Sequence, residues 1–73
     1  MACVNADGSL TPIAQKVLTA LSTPGNAIEI SERSGVQLYR VRSSFRELSL
    51  LGAIIMLNDL YQISDYGREL LKR

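Results

Sequence analysis

Apolar residues recur at helical spacing after Thr11 and Pro12. Threonine caps an unpaired helix amide well, and proline at the first helical position loses no hydrogen bond. The pattern therefore predicts a first helix from Pro12 to about Leu21. The residues of its predicted buried stripe are Ile13, Ala14, Val17 and Leu21.

A turn and a second helix follow. The segment 22–26, "STPGN", holds the strongest helix breakers in the chain and predicts a turn. Asn26 and Glu29 have the spacing of a capping box, in which each side chain bonds the backbone of the other residue. A second helix is therefore predicted over about 27–34. Gly35 is expected to end it, because glycine adopts the left-handed conformation at little cost.

A third helix is predicted from about Gln37 to Leu51. At about 100° per residue, Val41, Phe45 and Leu48 fall within a narrow arc, and this predicts that they are buried.

The pattern changes after Gly52. The runs "AIIML" and "LYQIS" are rich in β-branched and aromatic residues. They are separated by Asn58 and Asp59, which tolerate the positive φ of a two-residue turn, so we predict a short β-hairpin.

Ser64 and Asp65 can cap a last helix that runs to Arg73. The order of elements predicts an α+β, mostly helical fold with a three-helix core, a hairpin and a C-terminal helix, over residues 10–73. Residues 1–9 are small and polar and lack periodicity, which predicts a flexible N-terminal tail.

Composition excludes several classes of function. The chain has no His and a single cysteine, Cys3, so an internal disulfide is impossible and the usual zinc ligand sets are missing. No convergent set of catalytic side chains is present, so we expect neither an enzyme nor a bound metal or cofactor. The start of the chain lacks a basic and apolar leader, and no apolar run is long enough to span a bilayer. We expect a cytoplasmic protein without membrane contact.

The total charge is weak for a protein that binds nucleic acid. Eight Lys and Arg against seven Asp and Glu leave a net charge of +1. Any such site must therefore arise from local placement of charge. Arg40, Arg42 and Arg46 provide it, because no acid intervenes between Glu32 and Glu47.

The segment 29–54, "EISERSGVQLYRVRSSFRELSLLGAI", resembles winged helix-turn-helix regulators, such as the multiple-antibiotic-resistance and arsenical-resistance repressor families. Gly35 matches their turn, and Gly52 matches the glycine before their hairpin, which is called the wing. The segment 61–70, "YQISDYGREL", is similar to the end of the wing and the start of the next helix. The resemblance covers nearly all of the chain and implies a transcriptional regulator whose third helix lies in the major groove of DNA.

The sequence departs from the family in three ways. Ser31 and Ser34 stand where Ala and Leu are usual, which predicts looser packing of the second helix. Gln37 replaces the usual Ser or Thr cap of the third helix, at a loss of about 1 kcal/mol. Asn58 and Asp59 leave the hairpin tip without a cation, so the wing is expected not to clamp a minor groove or a phosphate.

The side of the third helix opposite Val41 is the candidate DNA site. Arginine binds phosphates or guanine edges, whereas Ser and Tyr hydroxyls suit backbone oxygens. Residues near the helix start are expected to lie nearest the bases, and later residues nearer the phosphates. The candidate DNA contacts are Gln37, Tyr39, Arg40, Arg42, Ser43 and Arg46.

Other interpretations stand beside DNA binding. An arginine-bearing face is often only a solvated helix surface, and Arg33 beside the turn is either solvated or a phosphate contact. The main alternative is a winged-helix protein-interaction module, because the total charge is near zero, the wing lacks cations and "LSLLGAIIMLNDL" is dense in apolar residues.

The same apolar density predicts a homodimer. Alternate residues of "AIIML" point to opposite faces of a strand, yet all are apolar. One face is expected to cover the helices, and the other would be exposed in a monomer. The candidate interface residues are Ile55, Leu57, Leu60, Tyr66 and Leu71.

Overall fold

The computed structural model describes residues 4–72. Cys3 and Arg73 lie outside the described residues. Within them the chain forms four helices and one two-stranded antiparallel sheet, so the fold is α+β and mostly helical. This confirms the predicted order of elements. In chain order they are α1 (Pro12–Ala20), α2 (Ala27–Ser34), α3 (Leu38–Leu51), β1 (Ile54–Leu57), β2 (Leu60–Ile63) and α4 (Asp65–Lys72).

The predicted caps of α1 and α2 are confirmed. The hydroxyl of Thr11 accepts a hydrogen bond from the N–H of Ala14 at 3.4 Å. The side chains of Asn26 and Glu29 each accept the other residue's N–H at 2.9 Å, which completes the capping box. Gly35 ends α2 with a φ of 74°, a left-handed conformation that strains any residue with a Cβ.

The third helix begins one residue later than predicted. Gln37 has an extended backbone and serves as the N-cap of α3, but its side chain makes no capping hydrogen bond. The helix ends at Leu51, as predicted, and Gly52 is its C-cap.

The hydrophobic core lies between the helices and the base of the hairpin. Burial of Val41, Phe45 and Leu48 is confirmed. Leu18 is also fully buried, although it lies outside the predicted stripe, because α1 contacts all three other helices rather than one. The buried cluster comprises Leu10, Ala14, Val17, Leu18, Leu21, Ile30, Val36, Val41, Phe45, Leu48, Ala53, Ile54, Ile63 and Leu70.

The predicted hairpin is present, with Leu57 paired to Leu60 beside a two-residue turn. Asn58 and Asp59 form that turn with φ values of 52° and 65°, as type I′ turns require.

In β1, only the base of the strand covers the core. Ile54 and its cross-strand partner Ile63 are buried. Met56 points to the same face but is 53% exposed, whereas its cross-strand partner Tyr61 packs against the core. The expectation that one whole face of β1 covers the helices therefore holds for Ile54 and is wrong for Met56.

A backbone bridge joins the hairpin to the loop between α1 and α2. The N–H and C=O of Tyr61 both bond the backbone of Gly25, each at 3.0 Å. Gly25 therefore lies along β2 on the side away from β1. The sequence predicted only a turn there. The side chain of Tyr61 lies on the core side of the hairpin, and its ring packs against Phe45 of α3 with ring centroids 4.4 Å apart.

Residues 4–10 form a hydrogen-bonded loop that the sequence did not indicate. Val4 pairs with Leu10 in an isolated bridge, and Val4 packs against the core. The carboxylate of Asp7 accepts hydrogen bonds from the hydroxyl and the N–H of Ser9, at 2.6 and 2.9 Å. These hydrogen bonds lower the pKa of Asp7.

The start of α4 is fixed against the end of α3. The hydroxyl of Ser64 donates to the C=O of Gly52 at 2.6 Å and accepts the N–H of Gly67 at 3.0 Å, which confirms its capping role. Gly67 is buried, and a Cβ added to it would overlap the carbonyl oxygen of Ala53. The close approach of α4 to this carbonyl therefore requires glycine.

We expect Gly67→Ala to lower the free energy of unfolding by about 1–3 kcal/mol, because backbone must move to admit the methyl group. Urea denaturation followed by circular dichroism measures the change. Arg68→Ala, at the exposed neighbouring position, should change stability by less than about 0.5 kcal/mol. Equal effects of the two substitutions would contradict the proposed close contact.

Candidate nucleic-acid interface

The turn between α2 and α3 is held by two serine hydroxyls. Ser31 donates to the C=O of Val36 at 2.6 Å. Ser34 donates to the C=O of Ile30 at 2.6 Å and accepts the N–H of Val36 at 3.2 Å. Ser31 and Ser34 are the departures from the family pattern for which looser packing of α2 was predicted. Both supply hydrogen bonds that close the turn. Val36 is thereby anchored in the core at the point where α3 begins.

The inner face of α3 is wider than predicted. Besides the three expected apolar residues, Ser44 is buried, with only 1% of its surface exposed. Burial of this face fixes the rotation of α3 about its axis. The opposite face must then point to solvent.

All six candidate DNA contacts lie on the exposed surface. Gln37 lies at the N-terminal end of α3, and the other five follow along its solvent side. One helical face thus carries three guanidinium groups and two hydroxyls. The full set of exposed candidates is Gln37, Tyr39, Arg40, Arg42, Ser43 and Arg46.

Arg42 and Arg46 are free of intramolecular partners among residues 4–72. The ion pairs found there lie on α2 and α4 and join Arg33 to Glu29, Arg68 to Asp65 and Lys72 to Glu69. The acid of α3, Glu47, is partly buried, and its Oε2 is shielded from solvent. It forms no ion pair with either arginine, so it does not neutralise the outer face directly.

Arg40 is oriented by its neighbour. Its Nε donates to the hydroxyl of Tyr39 at 3.1 Å, and its guanidinium carbon lies 5.5 Å from the centre of the tyrosine ring. This geometry is a cation–π contact. It leaves the terminal nitrogens of Arg40 available for an acceptor at the N-terminal end of α3.

Arg33 does not join this surface. Its Nη1 donates to the C=O of Thr23 at 2.9 Å, and the ion pair with Glu29 measures 3.8 Å. The guanidinium therefore braces the loop between α1 and α2. Arg33 is exposed, as its interpretation as a solvated residue expects, and it also bonds the loop backbone.

A groove of about 520 Å³ runs beside the arginines, between α3, the start of α2 and Tyr61 of β2. Arg42 and Arg46 border it, whereas Phe45 and Tyr61 line it with aromatic carbon. Leu50 also lines the groove and is 84% exposed, more than any other large apolar residue described. Sequence reasoning missed Leu50, although its spacing of four from Arg46 places it on the same face.

The candidate dimer residues divide into two groups. Ile55, Leu57, Leu60 and Tyr66 are exposed, as a free interface requires. Leu71 instead packs against the core and is half-buried, so little of it remains for a partner.

No family model, curated protein or solved structure matches this chain. The winged-helix resemblance therefore rests on the sequence pattern and on the order of elements.

Within residues 4–72, no three of His, Cys, Asp and Glu lie together as metal ligands would. The described helices include none with the length and apolar character of a membrane span.

We expect Gln37→Ser to stabilise the protein by about 0.5–1 kcal/mol, because a serine hydroxyl can accept an unpaired N–H of the first turn of α3. Chemical denaturation gives the free energy of unfolding. Gln37→Ala, which offers no acceptor, is the control and should give no such increase. If both variants are stabilised equally, capping is not the cause.

Proposed function

We propose that the chain is a small winged helix-turn-helix DNA-binding protein that acts as a transcriptional regulator. In this proposal α2 and α3 form the helix-turn-helix, and β1 with β2 forms the wing. The observation that carries the proposal is the pair of exposed arginines on α3, Arg42 and Arg46, which lack a carboxylate partner among the described residues. Such a surface can neutralise phosphates without first breaking an internal ion pair.

The proposed orientation places α3 in the major groove. Gln37, Tyr39 and Arg40, near the start of the helix, would then lie nearest the base edges. Arg42, Ser43 and Arg46 would lie nearer the phosphates, and we assign them to backbone contacts. The short Asn58–Asp59 turn carries no cation, so the wing adds little affinity.

The size of the electrostatic contribution follows from counterion release. If about four phosphates are contacted, a fourfold rise in salt concentration lowers the affinity roughly 10²-fold. With a net charge of only +1, long-range attraction is weak, and this salt dependence must come from the cations in the interface.

We expect Arg42→Ala and Arg46→Ala each to flatten the dependence of log affinity on log salt, by about 0.9 for each phosphate that the variant no longer neutralises. Fluorescence titration of a mixed-sequence duplex at several salt concentrations measures the slope. Lys16→Ala is the matched control, since it removes the same charge from an exposed position on α1. Absence of binding at low salt, or equal slopes for all three variants, would count against DNA as the partner.

A second candidate function is a winged-helix protein-interaction module. The exposed apolar side chains of the hairpin favour it, and so does Leu50 at the end of the arginine face. For this function we expect Leu57→Ser to abolish the complex and Arg42→Ala to leave it intact, as measured by calorimetry with an isolated partner. The opposite pattern would favour a partner bound through α3.

A further inference from the structure

The outer strand of the hairpin leaves part of its backbone unpaired. Met56 stands opposite Tyr61 in the antiparallel ladder. Tyr61 directs its N–H and C=O away from β1, to Gly25. Directly opposed residues of such a ladder are either both bonded to each other or both turned away. The N–H and C=O of Met56 therefore point to the open side of β1.

At four residues β1 is a short edge strand, but the other usual protections of an edge are missing. Ile55, Met56 and Leu57 are 44%, 53% and 54% exposed, and we call these three residues the β1 edge. Monomeric proteins block such edges with charges, proline or a bulge, because an exposed strand can pair with another chain. The β1 edge has no charged residue and no proline. Its described strand pairing with β2 runs without a bulge.

We propose that the β1 edge pairs antiparallel with the β1 edge of a second copy of the chain. The two-fold axis would pass between the two Met56 residues, which would exchange a pair of N–H to C=O hydrogen bonds. Ile55 of each copy would then lie opposite Leu57 of the other. The two hairpins would form one four-stranded sheet.

A second copy fits this edge because the pairing is self-complementary. Every residue brought face to face is apolar, so no like charges meet in the pairing. The acid of the turn, Asp59, lies beyond the end of β1 and does not enter the three central pairs.

The area that the pairing can bury limits the affinity of the dimer. Three side chains that are each about half exposed offer a few hundred Å² per copy at most, so the combined burial of two copies stays below about 1,000 Å². We therefore expect a weak dimer, with a dissociation constant in the micromolar range or above.

Dimerisation would complete the site described above. This consequence rests on the proposed function, whereas the pairing itself does not. A single copy offers few cations on α3, and a two-fold dimer would double the phosphate contacts and read a two-fold symmetric DNA site.

Sedimentation velocity of the whole chain without DNA, from about 10 to about 500 µM, tests the pairing over the range expected of a small interface. The result expected is a monomer–dimer equilibrium that Leu57→Glu weakens at least about 10-fold by placing a charge in the apolar pairing. Ile28→Glu is the matched control, since Ile28 is 58% exposed on α2, outside the hairpin, and should leave the equilibrium unchanged. Circular dichroism establishes that each variant is folded.

Hydrogen exchange of the unsubstituted chain gives a second readout that needs no variant. The amide of Met56 should exchange several-fold more slowly at the high concentration than at the low one. A folded monomer at all concentrations, a dimer indifferent to Leu57→Glu, or unchanged exchange at Met56 would each overturn the inference. A monomer that binds DNA refutes the pairing alone, whereas a dimer that ignores DNA refutes the proposed function alone.

Discussion

The contact between Phe45 and Tyr61 packs α3, which carries the candidate site, against the hairpin. Phe45 belongs to the buried face of α3, and Tyr61 belongs to β2 and bonds the backbone of Gly25 before α2. The aromatic pair therefore packs α3 against a strand whose backbone is also bonded to the α1–α2 loop. Such a pair contributes about 0.5–1.5 kcal/mol beyond its buried area. That is a large share of the stability of a domain this small, whose total is expected to be only several kcal/mol.

The rotation that this packing imposes on α3 explains how a nearly neutral protein can still present a basic surface. Arg33, Arg68 and Lys72 pair with acids on their own helices, so these charges largely cancel close to the places where they arise. Arg42 and Arg46 have no such pair among the described residues. Charges on an exposed surface are screened beyond about 8 Å at physiological salt, so a ligand at α3 responds to the local surface and little to the total. The net charge of +1 sets the attraction of a polyanion at long range, which is weak. It does not set the strength of the contact between that polyanion and α3.

Local chemistry made the helix ends and the hairpin turn predictable from the sequence, because Thr11, Asn26 and Gly35 act through residues no more than a turn away. The Gly25–Tyr61 bridge was not predictable, since it joins distant segments and the sequence around Gly25 carries no strand pattern. Tertiary packing also decides the burial of Ser44, a polar residue that periodicity alone places at the margin of the inner face. For the candidate site, spacing located the exposed residues of α3 correctly. Leu50 was missed because only polar residues were considered for the outer face, although its spacing of four from Arg46 places it there.

The arginines and the exposed apolar residues lie next to each other, and this adjacency bears on which partner the surface selects. Arg42 and Leu50 line the same groove, so a ligand that fills this groove contacts both. Leaving Leu50 in water forgoes roughly 25 cal/mol for each Å² that could be buried, which is a real loss in a marginally stable chain. The two kinds of surface respond differently to salt, because added ions weaken phosphate contacts and leave apolar burial unchanged or stronger. The sign of the salt dependence therefore tells which of the two surfaces dominates an observed interaction, without knowledge of the partner's identity.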